Sequence, residues 1–170
     1  FPWIKRELEK KEISVCVPHF PTPENQNLKV WKNAFTPYEK YVTKESIFIG
    51  HSLGVAFILS FLEQSVFRVQ AFYSVSGFVN LLGNADFDAI NRTFVEKGFD
   101  WEKIRNNCQN FSVIHSDNDP YVPIKESETL SQNLEVEPII IKNAGHFNQT
   151  AGYTEFPWLL EQIYALSDLV

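Results

Sequence analysis

The sequence is short of several residue types on which whole classes of protein depend. Its 170 residues include no Met, two Cys and seven Gly, and no Gly precedes Gly50. Cys16 and Cys108 lie far apart, each in or beside an apolar run where buried free thiols are common, so we expect no disulfide framework. Because translation begins with Met, we also expect the natural protein to extend before Phe1.

Long apolar runs and an excess of positive charge are missing as well. No segment approaches the roughly 20 apolar residues that cross a bilayer, and no charged-then-apolar signal segment opens the chain. The net charge of −6 and the pI near 5.2 offer no basic surface to nucleic acid or to an anionic membrane. We therefore expect a cytoplasmic protein that acts on a small molecule, with neither nucleic acid nor a membrane as partner.

The apolar residues that are present, 44% of the chain, are arranged in alternating strand-like and helix-like segments. No linker divides them, so we expect one domain over residues 1–170. The alternation predicts an α/β fold in three layers, with a mostly parallel sheet covered by helices on both faces. The predicted strands are residues 13–17, 46–49, 69–75, 111–115 and 137–142, and the predicted helices are 3–11, 28–42 (kinked or restarted at Pro37), 55–62, 87–97, 101–107, 124–134 and 155–166.

The clearest motif follows the second predicted strand. Gly50-His51-Ser52-Leu53-Gly54 matches the G-x-S-x-G nucleophile elbow, with a strand before it and an apolar helix after it. We interpret both glycines as positions where neighbouring chains approach too closely for a side chain. Ser52 is then the candidate nucleophile, and the N–H of Leu53 is a candidate oxyanion donor. The alternative is a tight turn whose serine only caps the helix.

A candidate acid follows the strand predicted at residues 111–115. Asp119 begins a D-x-x-V-P pattern typical of the loop whose aspartate orients a catalytic imidazole. Asp117 is the rival, and its simpler interpretation is a residue that stabilises a turn. The offset from Val122-Pro123 favours Asp119. A calcium loop is excluded because Val122 stands where such a loop requires glycine, so no metal site is expected.

The candidate base follows the last predicted strand. His146 lies in a Gly-His pair that lets the backbone turn tightly, and it is the only His downstream of the acid. The chain order Ser, Asp, His is the one that accompanies the nucleophile elbow. His51 should point away from Ser52 and support the turn, although it also adjoins the expected substrate site. His115 lies within a core strand and is expected to be structural.

We expect an apolar substrate pocket beside these three residues. Aromatic and apolar side chains follow the third strand and flank the acid and the base, where substrate would lie in this architecture. The alternative for each of them is ordinary core packing. The candidate substrate-binding residues are His51, Phe78, Trp101, Tyr121 and Phe147.

Six motifs in order give the chain a family resemblance: Trp3…Glu7-Leu8-Glu9-Lys10, Pro21-Thr22-Pro23, Ile49-Gly50-His51-Ser52, Trp101-Glu102-Lys103-Ile104, Ser116-Asp117-Asn118-Asp119-Pro120-Tyr121-Val122-Pro123 and Gly145-His146-Phe147. Together they resemble the small serine hydrolases typified by the retinoblastoma-binding hydrolase and its bacterial relatives. The resemblance implies an α/β-hydrolase fold with a minimal lid, esterase or amidase activity, and no cofactor. Members begin with a strand and a glycine-rich loop that supplies a second oxyanion donor, and we expect that segment to precede Phe1 in the natural protein.

The predicted reaction is cleavage of a small acyl substrate, an ester, thioester or amide, through an acyl-enzyme on Ser52. Two alternatives stay open at the level of sequence. The scaffold could serve as a protein-interaction module with little activity, because a fold does not dictate a function. It could also pass the acyl group to an acceptor other than water, as an acyltransferase.

Overall fold

The computed structural model describes residues 2–167, which form alternating helices and strands. The helices are α1 (Pro2–Glu9), α2 (Leu28–Glu39), α3 (Leu53–Leu62), α4 (Ala85–Val95), α5 (Trp101–Asn106), α6 (Ile124–Leu134) and α7 (Pro157–Ser167). The strands are β1 (Ile47–His51), β2 (Val69–Val75), β3 (Cys108–Ser116) and β4 (Pro138–Ile141), and a 3₁₀ turn spans Gln149–Ala151. The α/β class predicted from the sequence is confirmed.

The four strands form one parallel sheet in the order β1-β2-β3-β4. Val75, near the end of β2, pairs with His51 on one side and with Ile114 on the other. Ser116 at the end of β3 pairs with Ile141 at the end of β4. The carboxyl ends of the strands therefore lie along one edge of the sheet, where sites form in folds of this kind.

Two apolar clusters show that helices cover both faces of the sheet. Phe72 and Val113 belong to a cluster with residues of α2 to α6, whereas Tyr73 and Ile114 belong to a cluster with residues of α1 and α7. Because successive strand residues point to opposite faces, these clusters lie on opposite sides. The predicted three-layer arrangement is thus confirmed.

The segment 13–17, predicted to be a buried strand, is not one. It has no regular secondary structure and pairs with no strand among residues 2–167, Val17 is 48% exposed, and Cys16 is exposed rather than buried. An alternating apolar segment becomes a strand only when a neighbour supplies N–H and C=O groups. The described residues supply none there.

Helix α2 also departs from its prediction at its end. It continues through Pro37 without a restart, but it ends at Glu39 rather than at Val42. At its start, the Asn27 side chain accepts a hydrogen bond from the Val30 N–H at 3.0 Å and caps the helix. No helix in the described part of the chain is long and apolar enough to cross a membrane.

Candidate active site

Ser52 occupies the sharp turn between β1 and α3. Its backbone has φ 55° and ψ −125°, a conformation that is strained for any residue other than glycine. Its N–H donates to the Val75 carbonyl at 3.0 Å, and its own carbonyl accepts from the Val55 N–H at 3.0 Å. These bonds hold the strained turn in place. Leu53 is the first residue of α3, where N–H groups have no acceptor within the helix and can stabilise a negative charge.

The two glycines of the elbow differ in the space around them. A Cβ on Gly50 would lie 2.9 Å from Ile58 Cδ1 and 3.1 Å from the backbone of Val55, so a side chain there would collide. A Cβ on Gly54 would meet no described atom within 4 Å. The interpretation of Gly54 as sterically required is therefore wrong. It lies in the first turn of α3 and faces the cavity rather than a packed neighbour.

A hydrogen bond between Asp119 and His146 joins the loops that follow β3 and β4. Asp119 Oδ2 lies 2.8 Å from His146 Nδ1, and the two side chains are 1% and 11% exposed. The other carboxylate oxygen, Oδ1, accepts from the N–H of Tyr121 at 2.9 Å and of Val122 at 3.0 Å. Burial alone would raise the pKa of Asp119, but the hydrogen bonds from His146 and the two backbone N–H groups outweigh it and lower the pKa to about 2.

The pair with Asp119 determines how His146 faces the rest of the site. When Nδ1 donates to the carboxylate, Nε2 is left as a proton acceptor. Ser52 and His146 line one cavity, although no hydrogen bond joins the Ser52 hydroxyl to the imidazole in the described structure. Such contacts are often long in free enzymes and tighten around substrate. The ring of Tyr121 lies edge-on to the imidazole, with ring centres 5.2 Å apart.

The rival acid, Asp117, binds the loop that carries the base rather than the imidazole. Its Oδ1 accepts from the Asn143 N–H at 2.8 Å. Beside it, Asn118 Oδ1 accepts from the Gly145 N–H at 2.8 Å, and Ser116 Oγ accepts from the Ala144 N–H at 3.0 Å. Three consecutive residues of the acid loop thus hold the base loop by its backbone. Asp117 was predicted only as a rival acid or a turn residue, and Ser116 and Asn118 were given no role, although a run of Ser, Asp and Asn after a strand is a recognisable signal for such bonds.

His51 reaches across the site to the same loop. Its Nε2 lies 2.7 Å from the His146 carbonyl oxygen, and the two imidazole rings are 4.6 Å apart. Burial, reinforced by repulsion from His146, lowers the pKa of His51 to about 4, so the ring is neutral at physiological pH and donates to that carbonyl. The expectation of turn support was incomplete, because the side chain bridges the nucleophile turn and the base loop.

His115 plays a comparable part under the acid loop. It is fully buried in β3, and its Nε2 lies 3.0 Å from the Val122 carbonyl oxygen. Burial lowers the pKa of His115, which keeps the imidazole neutral and able to donate. The contact ties the strand to the loop that presents Asp119.

A cavity of 560 Å³ opens beside Ser52 and His146. Of the five candidate substrate-binding residues, it is lined by His51, Phe78 and Tyr121. Its other lining residues are Thr22, Gln26, Trp31, Ser52, Leu53, Gly54, Leu82, Phe87, Ile90, Asn91, Val122, His146 and Asn148.

Trp101 and Phe147 do not line this cavity. Trp101 begins α5 and packs against Phe99, with ring centres 5.2 Å apart. Phe147 follows the base, but its backbone turns at φ 48° and its ring packs against Tyr153 and Phe156 in the cluster of α1 and α7. Phe147 was predicted to bind substrate because it follows His146 in the sequence. That prediction is wrong, because the backbone turn at Phe147 directs its side chain to a different face from that of His146.

One buried carboxylate supports the cavity wall without a hydrogen bond to Ser52, Asp119 or His146. Glu126, in the first turn of α6, accepts from the N–H of Val79 at 2.8 Å and of Asn80 at 3.2 Å, and from the Asn80 side chain at 3.0 Å. These bonds hold the loop that carries Phe78. Sequence analysis did not identify Glu126, since an acidic residue in a first helical turn is common for reasons of capping alone.

Among residues 2–167, no group of three His, Cys, Asp or Glu side chains is placed to hold a metal ion. Instead, a strained serine and an imidazole line one cavity, and a buried, ionised carboxylate is hydrogen-bonded to the imidazole. A profile of the family described as serine hydrolase matches residues 1–165. The chain belongs to the serine hydrolase family.

Individual relatives agree with the family assignment. The chain is 29% identical to YdeN of Bacillus subtilis (strain 168) over 159 residues, which cover 92% of this chain and 82% of YdeN. It is 26% identical to the serine hydrolase RBBP9 of Rattus norvegicus over 151 residues, 88% of this chain and 78% of the relative.

Solved structures place the chain in the α/β-hydrolase fold. The crystal structure of the ydeN gene product of B. subtilis matches with a TM-score of 0.90 at 26% identity, over 99% of this chain and 90% of that one. The esterase domain of a Rhodothermus marinus protein matches with a TM-score of 0.67 at 17% identity, over 95% and 77% of the two chains, a similarity that shows the fold alone.

Proposed function

We propose that this serine hydrolase cleaves small ester or amide substrates with Ser52 as nucleophile, His146 as general base and Asp119 as the acid that orients the base. The observation that carries the proposal is the 2.8 Å contact between Asp119 and His146 beside the strained turn of Ser52, with Ser52 and His146 lining one cavity.

The reaction follows from the direction in which each group donates. Ser52 Oγ attacks the acyl carbonyl while its proton passes to His146 Nε2, and Asp119 stabilises the imidazolium. The N–H of Leu53 stabilises the oxyanion. The intermediate expels the alcohol or amine, which takes the proton from His146. Water then attacks the acyl-enzyme by the same route, so the acid leaves and Ser52 regains its proton.

The cavity favours an uncharged, largely apolar substrate. Phe78, Leu82 and Val122 contribute apolar surface near the nucleophile, and the lining contains no Lys or Arg. An anionic substrate would therefore lose its hydration without gaining a Lys or Arg side chain of opposite charge. A neutral ester or amide meets no such cost.

A fluorophosphonate probe tests the nucleophile directly. Because the probe reacts with activated serines, we expect stoichiometric labelling of the full-length protein and loss of labelling in Ser52→Ala. Ser14→Ala, at an exposed serine, is the matched control and should label like the wild type.

Absence of labelling in folded, full-length wild type would contradict the proposal and favour a binding role for the scaffold. Product analysis with an added alcohol separates hydrolysis from acyl transfer. We expect the free acid as the main product, and a dominant new ester would indicate an acyltransferase.

A further inference from the structure

Three polar side chains form a directed chain of hydrogen bonds in the wall of the cavity. The Thr22 hydroxyl donates to Gln26 Oε1, and Gln26 Nε2 donates to Asn91 Oδ1 at 2.6 Å. All three residues line the cavity that Ser52 and His146 also line. We refer to Thr22, Gln26 and Asn91 as the polar relay.

Asn91 is an unusual residue for its position. It lies on α4 with Phe87 and Ile90, which share the cavity wall, and it is only 8% exposed. Phe94, three residues further on, is fully buried. A polar residue on the apolar face of a helix must be justified by hydrogen bonds, because burying an amide without partners is costly.

The direction of the hydrogen bonds in the polar relay leaves the Asn91 Nδ2 group without an acceptor among the described residues. Thr22 donates to Gln26, and Gln26 donates to Asn91, so the amide oxygens of Gln26 and Asn91 each accept one hydrogen bond. An Asn amide has two N–H donors in addition to its oxygen. No hydrogen bond from Asn91 Nδ2 is present among the described residues, and the side chain lines the cavity. The relay therefore ends in a donor that lacks an acceptor.

The surroundings of Asn91 restrict what that acceptor can be. Ile90, Leu82 and Trp31 add apolar surface to the same cavity, and the Trp31 indole N–H already donates to the Pro21 carbonyl at 2.8 Å. Because the described lining contains no Lys or Arg, a carboxylate or phosphate in this cavity would have no positively charged side chain as partner. A neutral oxygen, as in a ketone, amide or second ester, matches one amide donor.

We propose that Asn91 Nδ2 is a specificity-determining donor that binds a second, neutral carbonyl oxygen of the substrate, apart from the carbonyl that Ser52 attacks. The substrates are then oxo-, amide- or ester-bearing acyl compounds rather than plain alkyl esters. This inference rests on the proposed function and deepens it, because the donor acts on substrates of the same site.

Matched ester pairs test the donor on the full-length protein. The first series consists of p-nitrophenyl esters of one straight-chain acid. Each ester that carries a ketone, at one of the successive carbons of the acid, is compared with the ester that has none. The other series consists of esters of one short acid with alcohols that carry or lack a ketone. We expect a preference of about fivefold or more in kcat/KM for the ketone at one position, the size of one hydrogen bond.

Two substitutions of Asn91 separate the free donor from the relay bond. Asn91→Asp keeps an oxygen for Gln26 and the same volume but replaces the donor with an acceptor, so the preference should disappear. Asn91→Leu removes every polar atom but keeps the number and branching of the side-chain heavy atoms, and it should also abolish the preference. Circular dichroism verifies that each variant folds.

Thr93→Val is the matched control for a purely structural role. Thr93 Oγ1 accepts from the Leu28 N–H at 3.0 Å, which ties the same segment to α4 outside the cavity, and its loss should leave the preference intact. An active wild type without preference, or a preference that survives in Asn91→Asp, would overturn the inference. Loss of the preference in Thr93→Val would also overturn the inference, because the attachment of this segment to α4, rather than the Asn91 donor, would then cause the preference. Failure to hydrolyse any ester would contradict the proposed function itself.

Discussion

At the scale of single residues, Asp119 combines two tasks in one carboxylate. Oδ2 contacts the imidazole of His146, and Oδ1 accepts from two backbone N–H groups of its own loop. The second set of bonds fixes the side chain, so the first oxygen can face the base without rotating. With a pKa of about 2, the carboxylate stays ionised throughout the pH range in which an imidazole can act as a base.

The assignment of Asp119 leads to a prediction about kcat. In Asp119→Asn, the side-chain oxygen retains the backbone N–H bonds, so the amide group faces His146 Nδ1. An amide donor there stabilises the wrong tautomer, with the proton on Nε2, and we expect kcat to fall by about 10⁴-fold. Steady-state ester hydrolysis measures the effect.

Asp117→Asn is the matched control for that variant. It keeps an oxygen for the Asn143 N–H and lies away from the imidazole, so we expect kcat within about threefold of wild type. If Asp117→Asn proved the more damaging change, the acid of the triad would be misassigned.

At the scale of elements, the turn between β1 and α3 depends on glycine at one end only. Gly50 faces Ile58 and Val55 at distances that exclude a side chain, whereas Gly54 faces open space. The G-x-S-x-G pattern therefore combines a steric requirement at its first glycine with a tolerant helical position at its last.

Alanine substitutions test this difference by urea denaturation. In Gly50→Ala the new Cβ pushes the Ile58 side chain and the Val55 backbone of α3 away from β1. We expect the free energy of unfolding to fall by about 1–3 kcal/mol. Gly54→Ala places the better helix former in α3 without a collision, and we expect stability to stay constant or to rise by up to about 1 kcal/mol. Equal losses in the two variants would show that Gly54 is constrained too.

At the scale of the whole molecule, the active site depends on contacts between the outermost described strands. His51 ends β1, and its side chain binds the loop after β4, across the two strands that lie between them. The network from the acid loop reaches the same loop from β3. Folding of the four described strands into one sheet is therefore what brings Ser52 and His146 to the same cavity.

The neutral state of His51 makes global stability depend on pH. Its pKa is about 4 in the folded protein, against 6.5 for an unperturbed His, so the unfolded chain binds more protons between these values. Stability then falls as the pH drops from 6.5 to 4, by about 3 kcal/mol at most from this residue. Urea denaturation at several pH values in this window measures the loss.

His51→Gln keeps an N–H for the His146 carbonyl but does not titrate, so its stability should fall less steeply over the same window. His19→Gln, at an exposed histidine, should retain the pH dependence of the wild type. Parallel curves for His51→Gln and wild type would show that the pKa of His51 is the same in the folded and the unfolded protein.

Much of the fold could be predicted because local sequence encodes it. Residues 69–75 and 124–134 were predicted with the bounds that the structure has, since an apolar strand and a helix of amphipathic period are local patterns. The prediction of a strand at residues 13–17 was wrong, because a strand forms only beside a neighbouring strand, and the local sequence does not show whether one is present.

The sequence by itself determined the order of the seven helices and of the four strands that pair in the described structure, and the positions of Ser52, Asp119 and His146 beyond three strand ends. Only the tertiary structure decided which carboxylate meets the imidazole, which glycine of the elbow is confined and which aromatic rings reach the cavity. It also brought Gln26 to Asn91, 65 positions away, to form the polar relay. The physical reason is that periodicity and turn chemistry act over a few residues, whereas contacts between distant segments depend on how the helices pack on the sheet.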